Sequence, residues 1–408
     1  MQHPLVIKFG GTSVGGGAEF VRAAGIVAEA AHDRPVTVVV SAMSGATDVL
    51  LRFADLTMRR RNSRTPIGPD REGSIAEFHR TLLDRHLRAA SQAVSEDRLP
   101  KVEARVRELL TSLIEAIEAQ VEDRAARRAE IAVYGERLSA EILAATIASQ
   151  GTPAAVAAED PIATDSNFSE AEVDVSETES RFSRLLSPLL DEGIVVVVPG
   201  YGGRSPEGLQ TTLGRGGSDL SATVLGRALG SEEVWIMTDV DGVLEADPRL
   251  VPDAALMPQL SYREAGIFAG LGAKVLHYKT MEPASEAGLD VLVRNTFNLA
   301  CSGTRVSEQE SGPGLRCVAL RRGLSMEIPC SQGRERAVAS VVCIGKPEDG
   351  DVSRGARRLR EADIAVLHSG VAAAGLVFFV SAEEGERALR VLHAGLISSS
   401  IPVGEEVA

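Results

Sequence analysis

The chain has 408 residues, a formal net charge of −14, 44% hydrophobic residues and 25% charged residues. This length allows two or more domains, and the composition is that of a globular protein. The negative charge argues against a nucleic-acid partner, and no apolar run is long enough to make a membrane partner expected. Four cysteines without Cys-x-x-Cys spacing, and an N-terminus without a signal-peptide pattern, predict a cytoplasmic protein without a metal or redox centre.

Apolar runs alternate with helical patterns through roughly the first three quarters of the chain. Residues 5–9 and 36–41 predict buried parallel strands, with an amphipathic helix at about 18–32 between them. The next predicted elements are helices within 70–125 and after Gly135, a strand at 194–198, a helix at 218–229 and a strand at 233–238. The alternation predicts an α/β fold with a doubly wound, mostly parallel sheet that binds ligands at the carboxyl ends of its strands.

The pattern changes after residues 303–314, which we interpret as a linker because they are rich in glycine and polar residues. The elements predicted beyond it are strands near 315–321, 338–344, 364–368 and 376–380, and helices at 352–361 and 385–396. Their order predicts a small α+β module of the ferredoxin-like type. The predicted organisation is therefore a domain at 1–302 and a module at 315–408.

Two glycine loops carry the strongest functional signal. The first, residues 8–13, reads Lys-Phe-Gly-Gly-Thr-Ser, and the second, residues 211–219, reads Thr-Thr-Leu-Gly-Arg-Gly-Gly-Ser-Asp. Each joins a predicted strand to a predicted helix, which leaves backbone N–H groups unpaired and aims a helix N-terminus at an anion. Two such loops with a fixed charge or hydroxyls indicate a nucleotide phosphate held next to a second small anion.

These loops resemble those of the aspartokinases, within the amino-acid kinase superfamily. The resemblance continues in the family's order through further blocks at 41–47, 134–139, 238–243, 247–249 and 272–277. It implies an ATP-dependent kinase of an amino-acid carboxylate, which would convert L-aspartate to 4-phospho-L-aspartate on the way to aspartate semialdehyde. Mg²⁺ is expected to accompany the nucleotide phosphates.

The resemblance implies catalytic roles for Lys8, Asp219 and Lys274. Lys8 would bridge the phosphates at the transfer centre, and Asp219 would hold the catalytic lysines in place. The alternative role for Asp219 is that of a plain helix cap. The residues implied at the nucleotide are Gly10, Gly11, Ser13, Gly216, Gly217, Thr238, Asp239, Leu244, Asp247, Arg249 and Lys274.

The resemblance also implies which groups hold the amino-acid acceptor. Arg215 would supply the guanidinium fork that fits a carboxylate, and Glu136 would pair with the ammonium group. Thr47 and Ser218 would add hydroxyl hydrogen bonds. Without the family context, Glu136 reads equally well as a residue that starts a helix.

Three departures from the family pattern leave alternatives open. Leu244 occupies the usual place of a tyrosine, and Tyr278 that of a proline. Regulated aspartokinases carry two tandem ACT modules, whereas 315–408 resembles one degenerate ACT-like module, which fits a sensor or a dimerisation appendage equally well. A homodimer or higher homo-oligomer is expected. The alternatives are a kinase of a different or modified amino acid, with a carboxylate or hydroxyl acceptor in a specialised pathway, and a non-catalytic regulatory subunit.

Overall fold

The structure is a computed structural model that describes residues 3–61, 70–119, 123–270, 277–310, 312–327, 335–372 and 375–397. The chain divides into two compact units. The first unit comprises Met1–Val240 and Glu282–Cys301, and the second comprises Asp241–Met281 and Ser302–Ala408. The domain predicted at 1–302 and the module predicted at 315–408 remain predictions.

A parallel sheet forms the centre of the first unit. The strands of this unit are β1 (Leu5–Phe9), β2 (Val36–Val40), β3 (Ala154–Val156), β4 (Val195–Pro199), β5 (Gly202–Arg204), β6 (Gln210–Thr212), β7 (Glu233–Thr238) and β9 (Asp290–Asn295). Six of them lie in the order β3-β4-β2-β1-β7-β9, and every pair is parallel, while β5 and β6 form a separate antiparallel hairpin. The predicted doubly wound sheet is confirmed. The chain leaves β1 for β2 on one side and returns to β7 on the other, so the carboxyl end of β1 is a switch point where such folds bind ligands.

Helices cover this sheet because their apolar residues recur at helical spacing. In α1, Phe20, Ala23, Ala24 and Val27 are buried in one stripe. The helices that lie within this unit are α1 (Gly17–Ala31), α2 (Ala46–Arg61), α3 (Asp70–Ala93), α4 (Leu99–Glu118), α5 (Arg124–Ala132), α6 (Tyr134–Ser149), α7 (Val175–Leu185), α8 (Ser187–Asp191) and α9 (Gly217–Leu229). In the part of the chain that the structure describes, no helix is both long enough and apolar enough to cross a membrane.

The second unit contains an antiparallel sheet. The strands of this unit are β8 (Gln259–Ser261), β10 (Thr304–Ser307), β11 (Gly314–Glu327), β12 (Glu335–Lys346), β13 (His368–Ala372) and β14 (Gly375–Ser381), of which the last four form the antiparallel sheet. Its helices are α10 (Tyr262–Gly270), α12 (Asp351–Glu361) and α13 (Gly385–Leu392), and α11 (Tyr278–Ala287) crosses the boundary between the units in the sequence. The last four strands lie in the order β11-β12-β14-β13, which matches the predicted small α+β module.

Two details of this region differ from the sequence prediction. The strand predicted at 364–368 begins only at His368, because Ile364 follows a left-handed residue, Asp363, and is buried in the core instead. The predicted linker 303–314 contains β10, which pairs in parallel with β8. Thr304 and Val306 are buried on either side of the exposed Arg305, so this short segment has the alternation of a strand.

Candidate active site

A lysine and an aspartate meet at the switch point of the parallel sheet. Lys8 lies near the carboxyl end of β1, and Asp219 lies in the first turn of α9. The distance from Lys8 Nζ to Asp219 Oδ1 is 2.6 Å, and only 11% and 13% of the two side chains are exposed. The fold therefore brings two predicted catalytic residues into a mostly desolvated ion pair, where charge interactions are stronger than in water.

The start of α9 is open toward an incoming anion. Gly216 forms the N-cap with φ 72°, a left-handed conformation that glycine adopts without strain, and no side chain caps the helix. Asp219 lies in the first turn, but its Oδ1 contacts Lys8 Nζ and has no other partner among the described residues. This geometry favours the lysine-holding role of Asp219 over the capping role. The Gly217 N–H donates to Gly214 O at 3.0 Å, which leaves the N–H groups of Ser218 and Asp219 in the first turn to hold phosphate or carboxylate oxygens.

One cavity of about 700 Å³ joins both glycine loops. Nine predicted site residues line it: Lys8, Gly11, Thr47, Glu136, Arg215, Gly216, Gly217, Ser218 and Asp219. The cavity is large enough for a small polar ligand with part of a nucleotide. Cationic and anionic side chains face the same space, which suits a ligand that carries both signs of charge.

Glu136 is the buried acid of this cavity. It lies near the start of α6 and is 3% exposed. The Ala42 N–H and the Thr47 hydroxyl donate hydrogen bonds to its carboxyl group, but burial outweighs them and raises the pKa of Glu136 to about 8. Its Oε2 has no hydrogen-bond partner in the described structure. Gly135 makes this arrangement possible, because a Cβ there would come within 2.6 Å of the Ala42 Cβ.

Other residues predicted at the nucleotide do not line the cavity. Gly10 follows β1 directly, and its N–H donates to Met237 O at 3.2 Å. The Ser13 side chain is fully buried, and its hydroxyl lies 2.6 Å from the Thr296 hydroxyl, a contact that braces the turn after β1. Thr238 and Asp239 lie at and just beyond the end of β7, where the Thr238 hydroxyl donates to the Asp239 carboxylate at 3.2 Å.

The remaining predicted residues lie elsewhere in the chain. Leu244, Asp247 and Arg249 belong to the second unit. The Arg249 Nε donates to Asp247 Oδ1 at 2.9 Å, and this hydrogen bond holds the pKa of Asp247 below its usual range. Lys274 lies outside the described residues. No group of three His, Cys, Asp or Glu side chains in the described ranges could hold a metal ion.

The chain can be compared with known proteins on this basis. A model of the amino acid kinase family matches residues 4–295. The aspartokinase of Chlamydia trachomatis serovar D is 32% identical over 323 residues, which cover 78% of this chain and 68% of the relative. The chain belongs to the aspartokinases of the amino acid kinase family. Aspartokinase 2, chloroplastic, of Arabidopsis thaliana is also 32% identical, over 79% of this chain and 58% of its own length.

Solved aspartokinases share the fold. Escherichia coli aspartokinase III in complex with lysine and aspartate superposes with a TM-score of 0.79 at 25% identity, covering 96% of this chain and 99% of that one. The same enzyme in complex with aspartate and ADP also gives 0.79, at 24% identity, over 97% and 100% of the two chains. These superpositions confirm the fold class predicted for this member of the aspartokinases.

Several residues of this kinase's cavity wall are absent from the predicted site residues, and Arg128 and Tyr201 are two of them. Arg128 on α5 lines the cavity and binds Asp55 Oδ1 through its Nε at 3.1 Å. Tyr201 follows β4 with φ 69°, a strained backbone for a residue other than glycine, and burial raises its pKa. The strand-end run from 199 to 203 could have indicated Tyr201. Nothing in the sequence separates Arg128 from its neighbours Arg124 and Arg127.

Proposed function

We propose that the chain transfers the γ-phosphoryl group of ATP to the side-chain carboxylate of L-aspartate and forms 4-phospho-L-aspartate. The observation that carries the proposal is the shared cavity of the Lys8–Asp219 ion pair and the buried Glu136 carboxyl group. Aspartate carries one ammonium group and two carboxylates, and the cavity offers partners for each. The names of the relatives and the bound aspartate of the E. coli enzyme support the same acceptor.

Phosphoryl transfer requires the protein mainly to align the reactants and to neutralise charge on the phosphate oxygens. Lys8 lies where its ammonium can stabilise the oxygens of the transferred group, and Asp219 fixes its position. The first-turn N–H groups of α9 add fixed dipoles aimed at the same anion. These groups are set before the substrate binds, so little reorganisation is needed during transfer.

The acceptor is held by groups at the other side of the phosphate position. The free oxygen of Glu136 receives the ammonium group, and the Arg215 guanidinium receives the α-carboxylate. Thr47 and Ser218 supply hydroxyl hydrogen bonds. This division leaves the side-chain carboxylate of the acceptor to approach Lys8.

ATP and Mg²⁺ are the proposed cofactors. The described residues offer no three-carboxylate cluster, so the phosphate oxygens would provide most of the metal's ligands, as nucleotide-bound Mg²⁺ commonly requires. When bound, the ion supplies further charge neutralisation. Gly10 follows β1, and Thr238 and Asp239 lie at and just beyond the end of the neighbouring β7, where they would contact the nucleotide. By resemblance, Asp247, Arg249 and Lys274 would be further contacts.

A substrate panel with ADP detection tests this function. We expect turnover with L-aspartate and strongly reduced turnover with L-glutamate, N-acetyl-L-aspartate and L-homoserine. N-acetylation removes the charge that Glu136 receives, so it isolates that contact. Faster turnover of another amino acid would favour the specialised kinase, and absence of ADP formation with every acceptor would favour the regulatory subunit.

The Arg215→Lys substitution separates acceptor contacts from nucleotide contacts. Lysine keeps the charge but lacks the planar fork, so the KM for aspartate should rise about tenfold while the KM for ATP changes less than twofold. Steady-state kinetics with each substrate varied in turn measures both values. An equal rise of the two would assign Arg215 to the nucleotide.

For the C-terminal region we propose an ACT-like module in a cytoplasmic homodimer. One module offers fewer sites for an effector than two, so we expect less than half inhibition by millimolar lysine or threonine at sub-saturating aspartate. Light scattering measures the oligomeric state in parallel. Stronger inhibition would identify the module as a sensor.

A further inference from the structure

A loop that precedes the C-terminal module in sequence is built into the core of that module. Residues 243–257 close on themselves, because Glu245 N donates to Ala255 O at 3.0 Å and Met257 N donates to Val243 O at 2.9 Å. We name this segment the 243–257 loop. It contains Leu244, Asp247 and Arg249, which the family resemblance assigns to the nucleotide.

Apolar packing joins the loop to the module. Ala246 and Val251 are 3% and 6% exposed and belong to one hydrophobic cluster with residues of β11, β12, β14 and α13. Among the other members of that cluster are Leu315, Val318, Val341, Phe378 and Leu389. The loop is thus part of the module's interior and is not simply laid over its surface.

Polar contacts fix the loop at three further points. The Val318 N–H on β11 donates to Glu245 O at 2.7 Å. The Arg390 Nε on α13 donates to Leu250 O at 2.9 Å. The third contact joins Glu245 Oε2 to His393 Nε2 at 3.3 Å, with 10% and 7% of the side chains exposed. A buried polar pair of this kind is costly to break by removing one partner, which makes it a specific anchor.

We propose that Glu245 and His393 are positioning residues, through which the C-terminal module holds the 243–257 loop and thereby sets the KM for ATP. The inference rests on the proposed function, because that function places Asp247 and Arg249 at the nucleotide. The Arg249 side chain is 75% exposed and is oriented mainly by Asp247, so its position depends on how firmly the loop backbone is held. The role of the module is then structural support of a ligand-binding loop, independent of any effector.

Kinetics of the full-length chain test the functional part. In Glu245→Leu and in His393→Leu we expect the KM for ATP to rise about tenfold, because small displacements of binding groups are costly. The KM for aspartate and kcat should change less than twofold. The Glu245→Leu/His393→Leu double variant replaces the pair by apolar groups and should recover most of the ATP affinity.

Hydrogen exchange without ligand tests the anchoring part by itself. The N–H groups of Leu250 and Val251 bond to Asp247 O within the loop, and their protection should fall in the single variants and return in the double variant. Arg390→Gln removes the hydrogen bond to Leu250 O. Because the Arg390 side chain is half-exposed, this change should lower the protection of the loop without disturbing the core. Glu361→Gln, which alters an exposed ion pair on α12, is the matched control and should change neither measurement.

Each outcome has a distinct meaning. Unchanged protection in the single variants would overturn the anchor. Lower protection with an unchanged KM for ATP would overturn the positioning role, whether or not aspartate is phosphorylated. A parallel loss of ATP affinity, aspartate affinity and kcat, with a lower melting temperature and no recovery in the double variant, would reduce the pair to a general stabiliser. Inactivity of the wild-type chain on every acceptor would refute the proposed function, while the exchange data would still report on the anchor.

Discussion

Lys8→Ala is expected to lower kcat by about 10²- to 10³-fold, because removal of one preorganised charge-stabilising group typically has that effect. Lys8 Nζ lies 2.6 Å from Asp219 Oδ1 at the carboxyl end of β1, and among the described lysines Lys8 alone lines the cavity. The substitution shortens a side chain that borders a cavity, so the fold should persist. Single-turnover measurements of phosphoryl transfer at saturating ATP and aspartate would isolate the chemical step.

Two further variants sharpen this result. Asp219→Asn keeps the shape of the side chain but removes the charge that fixes Lys8, and it should lower kcat about 10- to 100-fold. The double variant should be little worse than Lys8→Ala, because the two residues act as a unit. Lys101→Ala, on the exposed side of α4, is the matched control and should leave kcat unchanged. Retention of more than about a tenth of kcat/KM in Lys8→Ala would exclude Lys8 from the transfer centre.

The parallel sheet was predictable because local patterns carry its information. The all-apolar runs at 5–7 and 194–198 can only be buried on both faces, and the glycine loops mark the strand ends that bind anions. Those ends meet at one edge of any doubly wound sheet, so the two glycine loops are predicted to lie together, whereas the pairing of Lys8 with Asp219 is implied by the family resemblance. The family resemblance added roles that spacing alone does not provide.

Other features depend on contacts that no local pattern encodes. The burial of the Ser13 hydroxyl against Thr296, far apart in sequence, arises from tertiary packing that no local pattern encodes. The rotation of α5 selects Arg128 for the cavity among several arginines. The anchor of Glu245 on His393 joins a loop and a helix whose proximity follows only from the completed fold. A truncation after 314 would consequently expose the core face of the 243–257 loop, so the module cannot be removed without altering it.

Glu136→Gln is expected to raise the KM for aspartate about 100-fold, because a buried charge pair that loses one partner costs about 2–5 kcal/mol. The amide keeps the shape of the side chain and its contacts with Ala42 and Thr47 but carries no charge for the ammonium group. The KM for ATP should stay within about twofold. Glu141→Gln, on the same helix, is the control: Glu141 does not line the cavity and pairs with Arg105 Nε at 2.8 Å, so its substitution should leave both KM values unchanged.

The same substitution should stabilise the ligand-free protein at neutral pH. Burial raises the pKa of Glu136 from 4.5 in the unfolded chain to about 8 in the fold. Between these values the unfolded chain has released the proton and the folded chain retains it, so stability falls as pH rises from about 4.5 to 8. Glutamine removes this loss, worth on the order of 3 kcal/mol at pH 7. Denaturant unfolding at pH 5 and pH 8 should show a gain for Glu136→Gln that grows with pH, and an equal gain at both would contradict the buried acid.

Aspartate binding should itself release a proton near neutral pH. The ammonium group of the acceptor favours the ionised form of Glu136, whereas burial keeps the free enzyme protonated below pH 8. The KM for aspartate should therefore fall by about tenfold per pH unit from pH 6 to 8 and level off above, since one proton is linked to binding. Calorimetry in buffers of different ionisation enthalpy should show nearly one proton released at pH 7 by the wild-type chain and none by Glu136→Gln. A wild-type KM that is flat across this range would mean that Glu136 is already ionised before aspartate arrives, and its unpartnered oxygen would then need another explanation.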